Sequence, residues 1–212
     1  MNKFLKSILT NTGPKPLIIK KKFIKNSKII AENFTINSFG KKNSDKFFYI
    51  INRSPGAGLF SNVTFVLNHL FICKIFNFIP IVDMENFPII YNEEKKINKT
   101  LNAWLYFFKP LNNYRLRDVY KSKNVIFSSN NFQKKMIYDM TNKKLRFYFN
   151  KIKINNEFIK KSNHLYNNFF NKKDKVLGIH FRGSTYKVAR GHALPPTISL
   201  MIKNISYLMN KY

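Results

Sequence analysis

A short apolar run, a glycine-containing loop and a longer apolar run follow one another in the chain, and this order restricts the fold most. The first run, Phe47–Ile51, is apolar at every position, as a strand buried on both faces should be. After a loop rich in Gly and Pro, the run Val63–Phe76 is long enough for a helix. Ile79–Met84 then has the composition of a second buried strand. The pattern predicts a βαβ unit, and therefore an α/β fold with parallel strands.

Composition and pattern predict three parts around this unit. Residues 1–45 are rich in Lys and weakly patterned, which predicts a basic N-terminal arm or hairpin. Residues 46–172 form the main α/β domain. Residues 173–212 begin with the apolar run Val176–Phe181, which predicts another buried strand, and end in a predicted helix, Thr197–Tyr212. The main domain has further predicted elements, a strand at Val125–Ser129 and helices at Phe132–Phe149 and Asn155–Phe170.

The last part contains too few elements for a domain of its own. One strand and one helix cannot complete an open sheet, which needs several strands with helices on its faces. We therefore expect the 212 residues to be a fragment, the product of a truncated gene, or one piece of a split enzyme.

The charge is strongly positive, with 38 Lys and Arg against 10 Asp and Glu, a formal net charge of +28. Such an excess fits an anionic partner: nucleic acid, an acidic membrane surface or a phosphorylated substrate. The same excess of Lys, together with Asn, Ile, Phe and Tyr, also follows from A/T-rich codons. Because the basic residues are scattered, we favour the codon explanation over nucleic acid and expect only weak attraction to anionic lipid.

Cysteine and histidine usage predicts neither a disulfide nor a metal site. The one cysteine, Cys73, lies in an apolar run, which predicts a buried structural thiol and fits a reducing compartment. The four His residues are spread along the chain, so we expect no dedicated zinc site. We expect no run long enough to span a bilayer. The sequence therefore predicts a cytoplasmic protein, either free or attached peripherally to a membrane.

The loop between the first predicted strand and helix, Ser54–Asn62, has features of a phosphate-binding turn. Gly58 lets the backbone approach a ligand, and the helix that follows offers unpaired N–H groups and a partial positive charge. The loop lacks the Gly-Lys-Ser/Thr of a P-loop, and Ser61 interrupts a dinucleotide-binding fingerprint. A tight βα turn without a ligand explains the spacing equally well.

Two acids, Asp83 and Glu85, fall at the carboxyl end of the second predicted strand. In open α/β sheets this edge lines the ligand crevice. Either acid is a candidate general base for an acceptor hydroxyl or a hydrogen-bond partner for sugar hydroxyls. The structural alternatives are a helix N-cap and a salt bridge to a nearby Lys.

A second glycine-containing loop follows the predicted strand Val176–Phe181. Strand alternation places His180 and Arg182 on the same face, with Arg182 directly before Gly183. A guanidinium at that position can hold a diphosphate through two hydrogen bonds. For His180 we favour a hydrogen-bonded structural histidine over a catalytic acid.

Four segments in this order resemble the fucosyltransferase-like glycosyltransferases, a group that includes nodulation, core α1,6- and peptide O-fucosyltransferases. The resemblance extends from about Phe47 to the end of the chain. The segments are Ile50–Leu70, Ile79–Glu93, Asn102–Phe108 and Leu177–Lys187.

The resemblance implies a GT-B fold, in which two Rossmann-like domains enclose the active site. Residues 46–172 would then be the Rossmann-like acceptor-side domain, and residues 173–212 the first strand and helix of the donor-binding domain. The group transfers fucose from GDP-fucose with inversion and generally without a metal, so no cofactor is expected. The family's larger C-terminal domain, which holds most donor contacts, has almost no counterpart in these residues.

The resemblance also implies donor-binding residues. The family loop ends Gly-x-Phe-Gly-Asn, which Gly58, Phe60 and Asn62 match, although Ser61 replaces the second glycine. The His-x-Arg signature falls on residues 180 and 182, which implies that Arg182 binds phosphate.

One departure concerns the residues after that signature. The family often continues Arg-Thr-Asp or Gly-Thr-Asp, whereas this chain has Gly183, Ser184 and Thr185 and lacks the acid.

The sequence therefore predicts an inverting glycosyltransferase that moves a sugar, with GDP-fucose as the expected donor, to a glycan or lipid-linked saccharide. Arg182 would stabilise the leaving diphosphate, and Asp83 or Glu85 would contact the acceptor. Two alternatives remain open: a basic, aromatic-rich module that binds nucleic acid, and a non-catalytic remnant that binds glycan. We expect negligible transfer by the 212 residues alone.

Overall fold

The structure is a computed structural model, and it describes eight stretches of the chain: residues 15–19, 24–25, 28–29, 32–53, 58–128, 148–171, 174–179 and 196–211. The chain divides into two compact units, Met1–Lys161 and Ser162–Tyr212. The domain boundaries predicted from the sequence, after residues 45 and 172, stay predictions.

The first unit contains a mixed β-sheet. Its described strands pair in the order β1-β4-β7-β5-β6, while β2 and β3 form a separate antiparallel pair. β5 runs parallel to β6 and β7, whereas β4 runs antiparallel to β1 and β7. This confirms the mixed α/β class predicted from the sequence. In chain order the strands are β1 (Lys15–Ile19), β2 (Ile24–Lys25), β3 (Lys28–Ile29), β4 (Glu32–Asn37), β5 (Phe48–Ile51), β6 (Ile79–Val82) and β7 (Val125–Phe127).

The strand β5 lies between β7 and β6 and is buried at all four positions, because apolar clusters cover both of its faces. Its side chains alternate between two apolar clusters, with Tyr49 and Ile51 in the larger and Phe48 and Ile50 in the smaller. A run that is apolar at every position is what a strand covered on both faces requires, so the predicted strand is confirmed.

The helix between β5 and β6 is α1 (Leu59–Phe76), which completes the predicted βαβ unit. It ends at Asn77, whose φ of 57° is a left-handed conformation that Asn tolerates better than most residues. Apolar side chains lie all around α1, and eleven of its residues are buried, including Cys73 as predicted. The expectation that no run is long enough to span a bilayer is wrong for α1, which with 18 residues and a mean hydropathy of 1.5 is long and apolar enough to cross a membrane. However, 61% of it is buried in the protein, as in the core helix of a folded domain.

The N-terminal part contributes to this sheet and its core. β1 and β4 pair in antiparallel register, and β4 joins the main sheet where Ile36 and Asn37 pair with β7. Phe34 is buried, and its ring lies 4.8 Å from that of Phe76 and 5.1 Å from that of Phe78. Strand β4 is therefore part of the core, and not the peripheral element that its Lys-rich surroundings indicated.

Four further helices are described: α2 (Trp104–Phe107), α3 (Leu116–Val119), α4 (Asn156–Phe169) and α5 (Ile198–Lys211). The helices predicted at Asn155–Phe170 and Thr197–Tyr212 are confirmed as α4 and α5. The predicted buried strand Val176–Phe181 is wrong over its described part, because residues 176–179 form no strand and are exposed. A strand needs a neighbour to bond its backbone, and residues 176–179 pair with none of the described strands. The helix predicted at Phe132–Phe149 lies almost wholly outside the described residues.

Candidate functional site

Polar residues collect where the three parallel strands end. Because β5, β6 and β7 run in the same direction, the residues that follow them lie at one edge of the sheet. Asn52 and Ser128 bond across this edge: the Asn52 N–H donates to Ser128 Oγ (3.1 Å), which lies 2.8 Å from Asn52 Oδ1. The carboxyl edge of parallel strands is the usual position of ligand sites in α/β proteins.

Arg53, the first charged residue after β5, reaches the start of α1. Its Nη1 donates to the Ser61 carbonyl oxygen (2.6 Å), and its guanidinium carbon lies 5.0 Å from the centre of the Phe65 ring. Burial lowers the pKa of Arg53, but a guanidinium remains charged at neutral pH. Within the described ranges it forms no ion pair with a carboxylate. The sequence analysis missed Arg53, although a lone cation between a buried strand and a glycine loop was the available signal.

Gly58 stands directly before α1 and leaves open space at its position. Its φ of −63° and ψ of 161° are accessible to any residue, and an added Cβ would meet no atom within 4 Å. The helix has no side-chain cap at this end, and the Leu59 N–H donates to Tyr91 Oη (3.0 Å). This end of α1 thus combines a partial positive charge with open space at Gly58, although the Leu59 N–H is already bonded to Tyr91.

The two other loop residues predicted to bind donor lie on different sides of α1. Phe60 is 79% exposed, so its ring is accessible to a ligand. Asn62 is only 1% exposed and faces the core. Two residues separated by two positions on a helix point in nearly opposite directions, which explains the difference. The burial of Asn62 argues against direct contact between its side chain and a donor in a solvent-filled cleft.

Asp83 follows β6 and is fully buried, with four donors around its carboxylate. Oδ1 accepts hydrogen bonds from the backbone N–H groups of Glu85 (3.1 Å) and Asn86 (2.9 Å). Oδ2 accepts from the Asn86 side-chain amide (2.9 Å) and from Tyr120 Oη (2.6 Å). The side-chain-to-backbone bonds are typical of an Asx-turn. They indicate that Asp83 holds the loop after β6 and has no free oxygen for an acceptor.

Glu85 differs from Asp83 in being exposed and in lining a cavity of about 230 Å³. Partial burial raises the pKa of Glu85, the negative charge of Asp83 raises it further, and Lys96 opposes both effects. A carboxyl with a raised pKa, exposed beside a cavity, is the better placed of the two predicted acids for contact with a ligand.

The same cavity lies along β6, the edge strand of the sheet. Its walls include Ile81 and Val82 from the strand, together with Trp104. Arg115 also lines it and is exposed, as Glu85 is. The cavity therefore combines an apolar interior with two oppositely charged groups accessible from solvent.

A buried histidine lies in the middle of α1. His69 is 0% exposed, and its Nδ1 lies 3.0 Å from Tyr49 Oη. Burial, with the positive charge of Arg53 as a second cause, lowers the pKa of His69 to about 4. His69 is therefore neutral at physiological pH, and its contact with Tyr49 ties α1 to β5.

The predicted site residues His180, Arg182 and Gly183 lie outside the described residues. The role of Arg182 in binding phosphate therefore stays a prediction. Among the described residues, no group of three His, Cys, Asp or Glu is placed to hold a metal ion.

Comparison with known proteins gives no match: no protein-family model, no curated protein and no solved structure is similar to the chain.

Proposed function

We propose that this chain is part of an inverting glycosyltransferase that moves a sugar from a nucleotide diphosphate donor, GDP-fucose first among those to test, to a glycan or lipid-linked saccharide. The observation that carries the proposal is the uncompensated positive end of α1. Arg53, without a carboxylate partner in the described part, contacts the first turn of α1, and Gly58 directly before the helix leaves open space. A diphosphate is the ligand that a guanidinium beside the start of a helix favours.

The order of elements supports the same reaction class. The turn at Gly58 lies between β5 and α1 at the carboxyl edge of the parallel strands, where α/β enzymes bind nucleotides. The four segments that resemble fucosyltransferases include this turn. A GT-B arrangement, with Rossmann-like domains on either side of the donor, is the fold that we propose for the whole enzyme.

In the proposed reaction the two sides of the cleft have different roles. Arg182 stabilises the departing GDP by charge-assisted hydrogen bonds, and Arg53 adds a second positive charge from the acceptor-side domain. Glu85 accepts the proton of the acceptor hydroxyl, since the Asp83 carboxylate already accepts four hydrogen bonds. We propose a cytoplasmic enzyme at the membrane surface, where its positive charge favours anionic lipid.

Donor binding tests the proposal. Calorimetry with GDP-fucose should give saturable binding that Arg53→Ala weakens about tenfold, because a charge-assisted hydrogen bond is lost. Arg117→Ala, an exposed arginine on α3, is the matched control and should bind normally. Gly58→Ala should also weaken binding without changing the thermal midpoint, because its Cβ has free space in the unliganded fold.

Turnover tests the role of the second domain. In the whole enzyme of which this chain is proposed to be part, and with a glycan acceptor, Arg182→Ala should reduce GDP release about a hundredfold if Arg182 stabilises the leaving group. Unchanged turnover would refute that role, and failure to bind any nucleotide sugar would refute the transferase. Binding of single-stranded nucleic acid that falls steeply with salt would favour the nucleic-acid module instead.

A further inference from the structure

Two asparagines that line the cavity beside β6 attach its outer wall to that strand. The side-chain amide of Asn102 donates to the Val82 carbonyl (2.8 Å), and that of Asn112 donates to the Pro80 carbonyl. Among the described strands β6 lies at the edge of the sheet, so none of them bonds these carbonyls. The two amides satisfy these carbonyls and attach the segments that contain Asn102 and Asn112 to β6. The cavity is therefore formed before any ligand binds.

The described charges of this cavity are not paired with each other. Neither Glu85 nor Arg115 forms an ion pair with any residue in the described ranges. Both side chains are exposed, whereas Ile81, Val82 and Trp104 are buried. The cavity thus has an acceptor and a donor of hydrogen bonds near solvent and apolar walls beneath them.

Size and charge restrict the class of ligand. A volume of about 230 Å³ is below the ~300–1,000 Å³ usual for drug-sized ligands, which excludes a nucleotide diphosphate. The negative charges of Glu85 and Asp83 disfavour a free phosphate. One sugar ring combines an apolar C–H face with hydroxyl groups that both donate and accept.

We propose that this cavity binds one pyranose ring of a saccharide, which under the proposed function is the acceptor. The apolar face of the ring lies against Trp104 and Val82. Its hydroxyl groups donate to the Glu85 carboxylate and accept from the Arg115 guanidinium.

The test uses a property of the sequence: Trp104 is the one tryptophan among the 212 residues. Its emission therefore reports on this cavity alone. We expect methyl glycosides of N-acetylglucosamine, galactose, mannose and glucose, titrated separately, to include at least one that changes Trp104 emission saturably. Absence of any change with all four, together with no ligand contact in saturation-transfer NMR, would overturn the inference, as would a response to free amino acids alone.

Matched variants locate the ligand. Glu85→Gln and Arg115→Gln should each weaken the effective sugar about tenfold, because each removes a charged hydrogen bond. Glu94→Gln and Arg117→Gln exchange exposed residues of the same types outside the cavity lining and should leave affinity unchanged. Equal affinity in all four variants would overturn the inference.

The outcome for the sugar site is separable from that for the transferase. Saccharide binding that depends on Glu85 and Arg115, without binding of GDP-fucose, would support the cavity site and contradict the proposed function. In the whole enzyme, transfer from GDP-fucose whose acceptor KM is unchanged in Arg115→Gln would support the function and overturn the cavity site.

Discussion

Two helices of this protein, α1 and α5, are both rich in large apolar residues, yet they have opposite environments. In α1, eleven of 18 residues are buried, whereas none of the 14 residues of α5 is. In α1 the apolar residues lie on every side, while in α5 they form a stripe with polar residues opposite. The helix α1 lies against β5 and β6, and the second unit has no described strand. Apolar composition therefore predicts a helix, but burial of that helix requires a surface to pack against.

Truncation of one apolar side chain in each helix tests the difference in burial most directly. Phe65 in α1 is 0% exposed and Ile202 in α5 is 57% exposed. We expect Phe65→Ala to lower the free energy of unfolding by about 3–5 kcal/mol, since it leaves a cavity. Ile202→Ala should change it by about 0.5 kcal/mol or less. Urea denaturation of both variants measures the difference, and equal losses would show that α5 is also packed in solution.

The buried histidine of α1 should make the free energy of unfolding depend on pH. His69 in α1 has its pKa lowered from an ordinary 6.5 to about 4, so the unfolded chain binds a proton more readily than the folded one. The contribution of neutral His69 is complete above pH 6.5 and is lost as the pH falls from 6.5 to 4. This loss is on the order of 3 kcal/mol. His69→Gln should remove that part of the pH dependence of unfolding, which urea denaturation at a series of pH values measures.

The two acids that follow β6 show the same difference between a buried and an exposed side chain, although only two positions separate them. In Asp83→Asn, an amide NH₂ replaces one carboxylate oxygen and meets groups that are themselves donors, such as Tyr120 Oη. We expect the free energy of unfolding to fall by about 2 kcal/mol. Glu85→Gln should cost about 0.5 kcal/mol or less, because Glu85 is exposed. Chemical denaturation at neutral pH distinguishes the two, and similar values would contradict the structural role of Asp83.

The smallest expected effect concerns the bond between α1 and β5. Tyr49→Phe removes the hydroxyl that lies 3.0 Å from His69 Nδ1 and leaves the ring in place. The free energy of unfolding should fall by about 1 kcal/mol, the usual contribution of one hydrogen bond. Thermal denaturation measures the change, with Tyr207→Phe on α5 as the exposed control. A loss of similar size in Tyr207→Phe would contradict a specific contribution from the bond between Tyr49 and His69.

Sequence patterns predicted the elements of the βαβ unit to within a few residues. The strand predicted at Phe47–Ile51 is Phe48–Ile51, and the helix predicted at Val63–Phe76 begins at Leu59. Those segments are long or uniformly apolar, so their local signal is strong. The run at 176–179 has a similar composition but forms no strand, because strand pairing depends on residues distant in sequence.

The site was predicted in outline only. The sequence indicated that acids lie at the carboxyl end of β6 and that a glycine turn precedes α1. It could not separate Asp83 from Glu85, since the burial of Asp83 depends on Tyr120, which is 37 residues away. The cavity beside β6 was not predicted, because Asn102 and Asn112 form it through hydrogen bonds to a strand distant in sequence.

Local signals in the chain are sufficient to specify the βαβ unit, because apolar runs and glycines act locally on the backbone. Which polar groups are accessible to a ligand depends on how the whole chain folds. Arg53, Glu85 and Asp83 are all charged residues at strand ends, and their differences arise from neighbours that the fold brings together. Accessibility and charge compensation depend on such long-range contacts, which no local pattern contains.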